Sequence, residues 1–183
     1  MALILRLIII LTATITLTAT SVNAGKQDFK PGKAIPAFGM ITDVPTAKPL
    51  AEGIIFKHTF DRSDAAEPGA INRSIESAAR FINMHYAVGV PLKNIQVAMV
   101  IHGPAVLDVT KPKFYQERKG EGNANVAMID ALLKAGVRII VCGQSATAQD
   151  VYADDVMPGV EIALSAMTAH AVLQMEGYTL NPF

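Results

Sequence analysis

Gly136-Val-Arg-Ile-Ile-Val-Cys-Gly-Gln-Ser145 is the stretch on which the reading of this chain turns. Val137 to Val141 is almost continuously apolar, the pattern of a short strand covered on both faces. Gly143 lets the chain turn, and Ser145 can cap a helix that follows. Cys142, the only cysteine, therefore stands where a buried strand gives way to a helix. Free N–H groups and the positive end of a helix favour thiolate over thiol, so Cys142 is expected to titrate low. The competing reading is a small buried hydrophobe, the usual state of a lone cysteine.

Working outward, further strands are expected over 53–60, 94–103, 160–164 and 178–180. Helices are expected over 70–88, 123–135, 145–154 and 165–177, the last capped by Ser165. In the first helix Ile71, Ile75, Ala78, Ala79 and Ile82 recur at spacings of three and four, giving one apolar stripe. Strands thus alternate with helices, which predicts a parallel sheet with helices on both faces. Residues 104–122 carry Lys111, Lys113, Arg118 and Lys119 among glycines and prolines. They read as a long polar connection with at most a short helical turn near 105–109, of the kind that is functional or mobile.

The first 24 residues read as a secretory signal peptide, with Arg6, an apolar run from Leu7 to Ala19, and Val22-Asn-Ala24 before the cut. The alternative is a retained anchor, but Thr12, Thr14, Thr16 and Thr18 dilute the run, which is short for a span. Cleavage leaves 159 of the 183 residues, enough for one domain with its own core. Periplasmic or secreted localisation follows, with no membrane contact after cleavage. Residues 25–52, with Pro31, Pro36, Pro45 and Pro49, read as an extended arm, either a linker or a strap over a neighbouring subunit. Residues 53–183 form the α/β domain.

Lysine plus arginine equals aspartate plus glutamate, at 16 each, so nothing points to nucleic acid. A single cysteine excludes an intrachain disulfide and a Cys-x-x-Cys exchange. Scattered histidines offer no close zinc ligand pair. No glycine-rich phosphate loop follows the first strand, and no Gly-x-Ser-x-Gly is present. No metal or cofactor is implied.

In an open parallel sheet, ligands bind beyond the carboxyl ends of the strands. The pattern puts His58-Thr-Phe-Asp61, His102-Gly103, Cys142 and Ser165 there. Cys142 and His102 are the candidate catalytic pair, since an imidazole can take a proton from a thiol near neutral pH. Gly143, Gln144, Ser145 and His58 are candidate substrate-binding positions. His85 and His170 fall on helices, where surface placement is expected.

Three stretches resemble the DsrE/DsrF-like proteins: Lys134 to Ser145, Met157-Pro-Gly-Val-Glu-Ile-Ala-Leu-Ser-Ala166, and Gly177-Tyr-Thr-Leu-Asn-Pro-Phe183. The His102-Gly103 strand end also fits. The resemblance implies a three-layer α/β/α sandwich on a mainly parallel sheet of four or five strands, and homo-oligomers, trimers or hexamers. Its sulfur-relay members hold a persulfide on a cysteine at the position of Cys142. That implies a sulfur carrier or sulfurtransferase component with a thiol-bearing protein partner. Those members act in the cytoplasm, whereas this chain has an export signal. Two other functions stay open: a non-catalytic module that binds a small ligand or protein, and a thiol redox sensor.

Overall fold

The computed structural model describes residues 28–181, so the expected signal peptide lies outside the described residues. Five strands form one sheet: β1 (Phe56–Arg62), β2 (Ile95–Ile101), β3 (Arg138–Cys142), β4 (Glu161–Ala163) and β5 (Thr179–Asn181). Their spatial order is β4-β3-β2-β1-β5, and every pairing is parallel. The helices are α1 (Arg73–Ala87), α2 (Pro112–Lys119), α3 (Val126–Lys134), α4 (Gly143–Thr147) and α5 (Ala166–Met175). No helix among the described residues is long and apolar enough to cross a membrane.

Alternate residues of a strand face opposite sides of its sheet. On β2 and β3, Val97, Met99, Ile101, Ile139 and Val141 join the stripe of α1 and residues Met128, Ile129 and Leu132 of α3 in one core. Their neighbours Ala98, Val100 and Ile140 face the other way, against Ala169 and Leu173 of α5. The layers are therefore α/β/α, but unequal: 24 buried residues make up the first core and five the second. Burying an Ile or Leu side chain contributes about 1.5–3 kcal/mol, so most of the hydrophobic stabilisation lies on the α1/α3 side. Around α5 the apolar side chains of Leu164, Met167 and Met175 stand 73%, 80% and 87% exposed.

Two expectations are corrected. Residues 104–122 are not a polar loop. The short turn near 105–109 is present as a 3-10 turn, Gly103–Val109, but α2 was not expected, and the two fill most of the segment because Ala105, Val106, Val109 and Tyr115 are fully buried and tie it down. The arm is neither a bare linker nor free to strap another subunit along the stretch 35–40. Its backbone lies on α1, where the buried Asn83 accepts from Ile35 N at 2.9 Å and donates to the carbonyls of Ile35, Phe38 and Gly39 at 2.9–3.0 Å. Gly39 has φ +67°, and a Cβ there would meet Arg80 N at 2.2 Å. Only glycine permits that approach.

Asn72 starts α1 by accepting from the N–H groups of Ser74 and Ile75. It also donates to Asp108 Oδ2 at 2.7 Å, and Asp108 Oδ2 accepts Ala66 N–H at 2.8 Å. Burial pushes the Asp108 carboxyl up despite these bonds. The knot holds the segment 63–72 beside the carboxyl ends of β1 and β2.

Candidate functional site

Cys142 ends β3 and is itself the N-cap of α4, which starts at Gly143 and stops at Thr147. The expected helix start at Ser145 is thus two residues late and its length overstated. Ser145 serves another purpose. Its hydroxyl accepts Gly103 N–H at 3.0 Å, which leaves the O–H proton for the Cys142 sulfur. Burial pushes the thiol up, but the Ser145 hydroxyl and the backbone N–H groups of Ser145, Ala166 and Gln144 outweigh it, and the thiol titrates below its ordinary value. The expected direction is found, and the donors come from two helix starts, Gln144 and Ser145 in the first turn of α4 and Ala166 in the first turn of α5, with the Ser145 hydroxyl added. Cys142 is only 6% exposed. Gln144 lies at the rim, its Nε2 donating to Leu164 O at 3.3 Å.

Gly143 is needed for a reason other than the one expected. Its φ is not left-handed; instead a Cβ would meet Ala163 O at 2.6 Å and Leu164 O at 3.3 Å. The backbone after β3 thus passes against the end of β4. Gly143→Ala is expected to destabilise the fold by about 1–3 kcal/mol through this overpacking and to return the thiol toward its ordinary pKa by shifting the Gln144 and Ser145 N–H groups. Thermal melting and the pH dependence of Cys142 alkylation check it.

The histidines divide differently from the sequence reading. β1 begins and ends later than expected, so Asp61, not His58, reaches the carboxyl edge. His58 pairs in register with Val97 and Thr179, in the amino-terminal half of the strand. Its ring stacks on Phe81 of α1 at 4.7 Å and 7°, and its Nδ1 shares a hydrogen bond with Thr179 Oγ1 at 3.1 Å. Burial first, then the nearby His85 and Arg62 charges, lower its pKa. It is on the α1 face, away from Cys142, and does not line this edge.

His102 follows β2 and continues its ladder, donating its N–H to Arg62 O at 2.9 Å. Ile101 pairs with Val141, so the next residues, His102 and Cys142, stand side by side at the strand ends. The imidazole turns toward β1, however, and its Nε2 meets Asp61 Oδ1 at 3.1 Å. None of the hydrogen bonds that lower the thiol comes from His102. The same Oδ1 also meets Nε2 of His170 at 2.8 Å. His170 is not a surface residue: its side chain is 15% exposed. From sequence alone, Asp61 is placed at this edge without a role and His170 on a helix surface. A helical wheel gives the signal for His170, which lies four residues after Ala166 and three before the buried Leu173. His85 is not a surface residue either: it is half-buried against Phe56 and Phe81.

Burial pushes the Asp61 carboxyl up, and the bonds from His170 and His102 outweigh it, so the group is held below the usual carboxylate range. A carboxylate only accepts, hence both imidazoles present Nε2–H to it and their Nδ1 atoms point elsewhere. That is not a ligand set, and no metal-binding group occurs among the described residues.

A cavity of about 730 Å³ lies at the opposite edge, where Val44 and Leu50 of the arm and Ile54, just before β1, face Met84 of α1 and its C-cap Val88. It is far from the thiol in the topology, at the amino ends of β1 and β2.

Among solved structures, the chain resembles a protein described as of unknown function, MTH1491 from Methanobacterium thermoautotrophicum. The TM-score is 0.53 at 16% identity, over 70% of this chain and 99% of that one. That likeness bears on the fold alone. No curated protein matches the chain. The family model described as DsrE/DsrF-like matches residues 56–182, from the first residue of β1 to just past β5. With that match spanning the whole sheet, and with its five parallel strands in three layers, the chain belongs to the DsrE/DsrF-like family.

Proposed function

We propose that this protein is a sulfur carrier of the relay type, in which Cys142 accepts sulfane sulfur as a persulfide and passes it to the thiol of a partner protein. Family membership supports a sulfur-relay role in general. The observation that carries the specific reading is the set of donors around Cys142 Sγ, which stabilises negative sulfur at the end of a rigid strand. With no second cysteine in the chain, a persulfide or an intermolecular disulfide is the accessible product. Incubation with polysulfide should add about 32 Da to the intact protein, removable by a thiol reductant; two oxygens add nearly the same mass but resist it. A binding module with an inert cysteine is favoured by one observation, the near-burial of Cys142. It predicts no mass gain and slow alkylation.

Two further parts of the reading are proposed with it. The protein works outside the cytoplasm after cleavage behind Ala24, which the intact mass of the exported form tests. It also assembles as a trimer or hexamer. The thinly covered α5 face, with Met167 and Met175 exposed, supports assembly, since apolar surface of this kind favours contact with a copy. Light scattering at micromolar concentration should give three or six times the chain mass; a monomer there refutes it.

A further inference from the structure

We propose that Asp61, His102 and His170 form a proton-transfer centre for Cys142: His102 protonates the sulfur that leaves when Cys142 is loaded, and Asp61 and His170 hold its ring in place. The proposal rests on the reading of Cys142 as a sulfur acceptor.

The register gives the geometry. Asp61 pairs with Val100, and Val100 pairs with Ile140, so these three lie on one line across β1, β2 and β3. Val100 and Ile140 face α5. Strand alternation puts Asp61, His102 and Cys142 on that same α5 face. Ala166, in the first turn of α5, donates to the Cys142 sulfur, and His170, one turn on, reaches Asp61. One helix therefore touches both the thiol and the carboxylate.

The hydrogen bonds assign the roles. His170 presents Nε2–H to Asp61, and its Nδ1 is buried with no partner, which suits a lone pair and not a second N–H. His170 is thus a fixed donor. His102 is the more open ring, with its side chain 31% exposed. While Nε2–H stays on Asp61, its Nδ1 is the nitrogen left to carry a proton in and out. A tie between α5 and β1 needs only His170 and Asp61. The second, solvent-reaching imidazole on the same oxygen is what a structural tie leaves unexplained.

The chemistry needs such a group. The Cys142 thiolate attacks the outer sulfur of a donor persulfide, R–S–SH. The Sγ–S bond forms, the S–S bond of the donor breaks, and its electron pair goes to R–S⁻. His102 gives that thiolate a proton from Nδ1, and the acidic Cys142–S–SH returns its own to Nδ1 as it becomes Cys142–S–S⁻. Sulfane sulfur moves with no net oxidation. An alkyl thiolate leaves slowly because its conjugate acid is weak, so protonation speeds the step. In a linear attack the leaving sulfur sits about 4 Å from Sγ, two S–S bond lengths away. That is close to the spacing of about 4.8 Å between neighbouring strands. A group on β2, bonded away from Sγ itself, is positioned for the leaving sulfur and not for the nucleophile.

The test compares two electrophiles on the full processed chain. Glutathione persulfide expels an alkyl thiolate that needs a proton, whereas iodoacetamide expels iodide, which does not. His102→Gln keeps an N–H for Asp61 but cannot carry a proton. It is expected to slow loading from glutathione persulfide by about 100-fold while alkylation stays within about twofold. His170→Ala is expected to give a smaller loss of the same kind, about tenfold, and His170→Gln, whose amide can still donate to Asp61, to recover most of it. If His102→Gln loads at the wild-type rate, or slows both reactions equally, the proton-transfer role is overturned while the carrier reading stands. If His170→Gln is as slow as His170→Ala with both folded by thermal melting, the positioning role is overturned. If wild-type protein alkylates but takes up no sulfur, the carrier reading fails and this centre with it.

Discussion

Cys142→Ser is expected to abolish sulfur uptake from polysulfide altogether and to leave the fold in place. Serine is close to cysteine in shape, and its hydroxyl can meet the same donors from Ser145, Ala166 and Gln144. The strand Arg138–Cys142 is held by Ile139, Ile140 and Val141, all buried, so the substitution removes the sulfur without removing the scaffold. The expected change in melting temperature is a few degrees at most, equivalent to about 1 kcal/mol. Wild-type alkylation should reach half its maximum below the pH at which a free cysteine does, because the folded thiol is held low. The sign for stability is that of a depressed group: its contribution is present above the unfolded thiol pKa and is lost as pH falls through the folded one. Cys142→Ser should lack that alkaline increment. Ser145→Ala, which removes the largest of the lowering hydrogen bonds, should move the alkylation midpoint of the wild-type thiol upward. A Cys142→Ser protein that still gains reducible sulfur would sink the carrier proposal outright.

The second large effect is expected at Asn83, 59 residues from the cysteine and with no part in its chemistry. Asn83 is fully buried and holds four backbone groups of the arm, at Ile35, Phe38 and Gly39. In Asn83→Ala those groups lose their partner while Gly39, pressed against the backbone of Arg80, has no room to seek another. Each buried group left unpaired costs about 1–3 kcal/mol, but three of the four are carbonyls that water can partly reach once the arm loosens. A loss of about 3–4 kcal/mol, or a melting temperature lower by about 10 °C, is the expected result. Limited proteolysis should then cut within 28–52 before the α/β domain is touched. A variant that melts within 2–3 °C of wild type would show that the arm adds nothing to stability.

The alternation of strands and helices was legible because each element carries its own local pattern. The apolar run 137–141, the stripe of α1 and the Ser165 cap, which does accept Thr168 N–H, each depend on neighbours within a few residues. The strand-end place of Cys142 followed from the same run. The α/β/α layering and the parallel sheet followed from the order of elements, together with the resemblance carried by the last fifty or so positions.

What the tertiary structure decided is everything that depends on residues distant in the chain. Alternation along β1 separated His58 from the site: side chains change face with a period of two residues, so His58 lies on the α1 face in the amino-terminal half of the strand while Asp61 reaches the carboxyl edge. The bond between His170 and Asp61 spans 109 residues, and the Asn83 clamp on the arm spans up to 48. Neither leaves a trace in local composition. Helix α2 within 104–122 was masked by its charged residues, since its one buried side chain, Tyr115, lies between Lys113 and Glu117. Amino-acid sequence by itself determined most of the secondary elements and the family of the domain, because both reside in contiguous patterns of apolar side chains. Only the packed sheet decided which imidazole meets which carboxylate, because a hydrogen bond of about 3 Å is set by strand register and helix placement together.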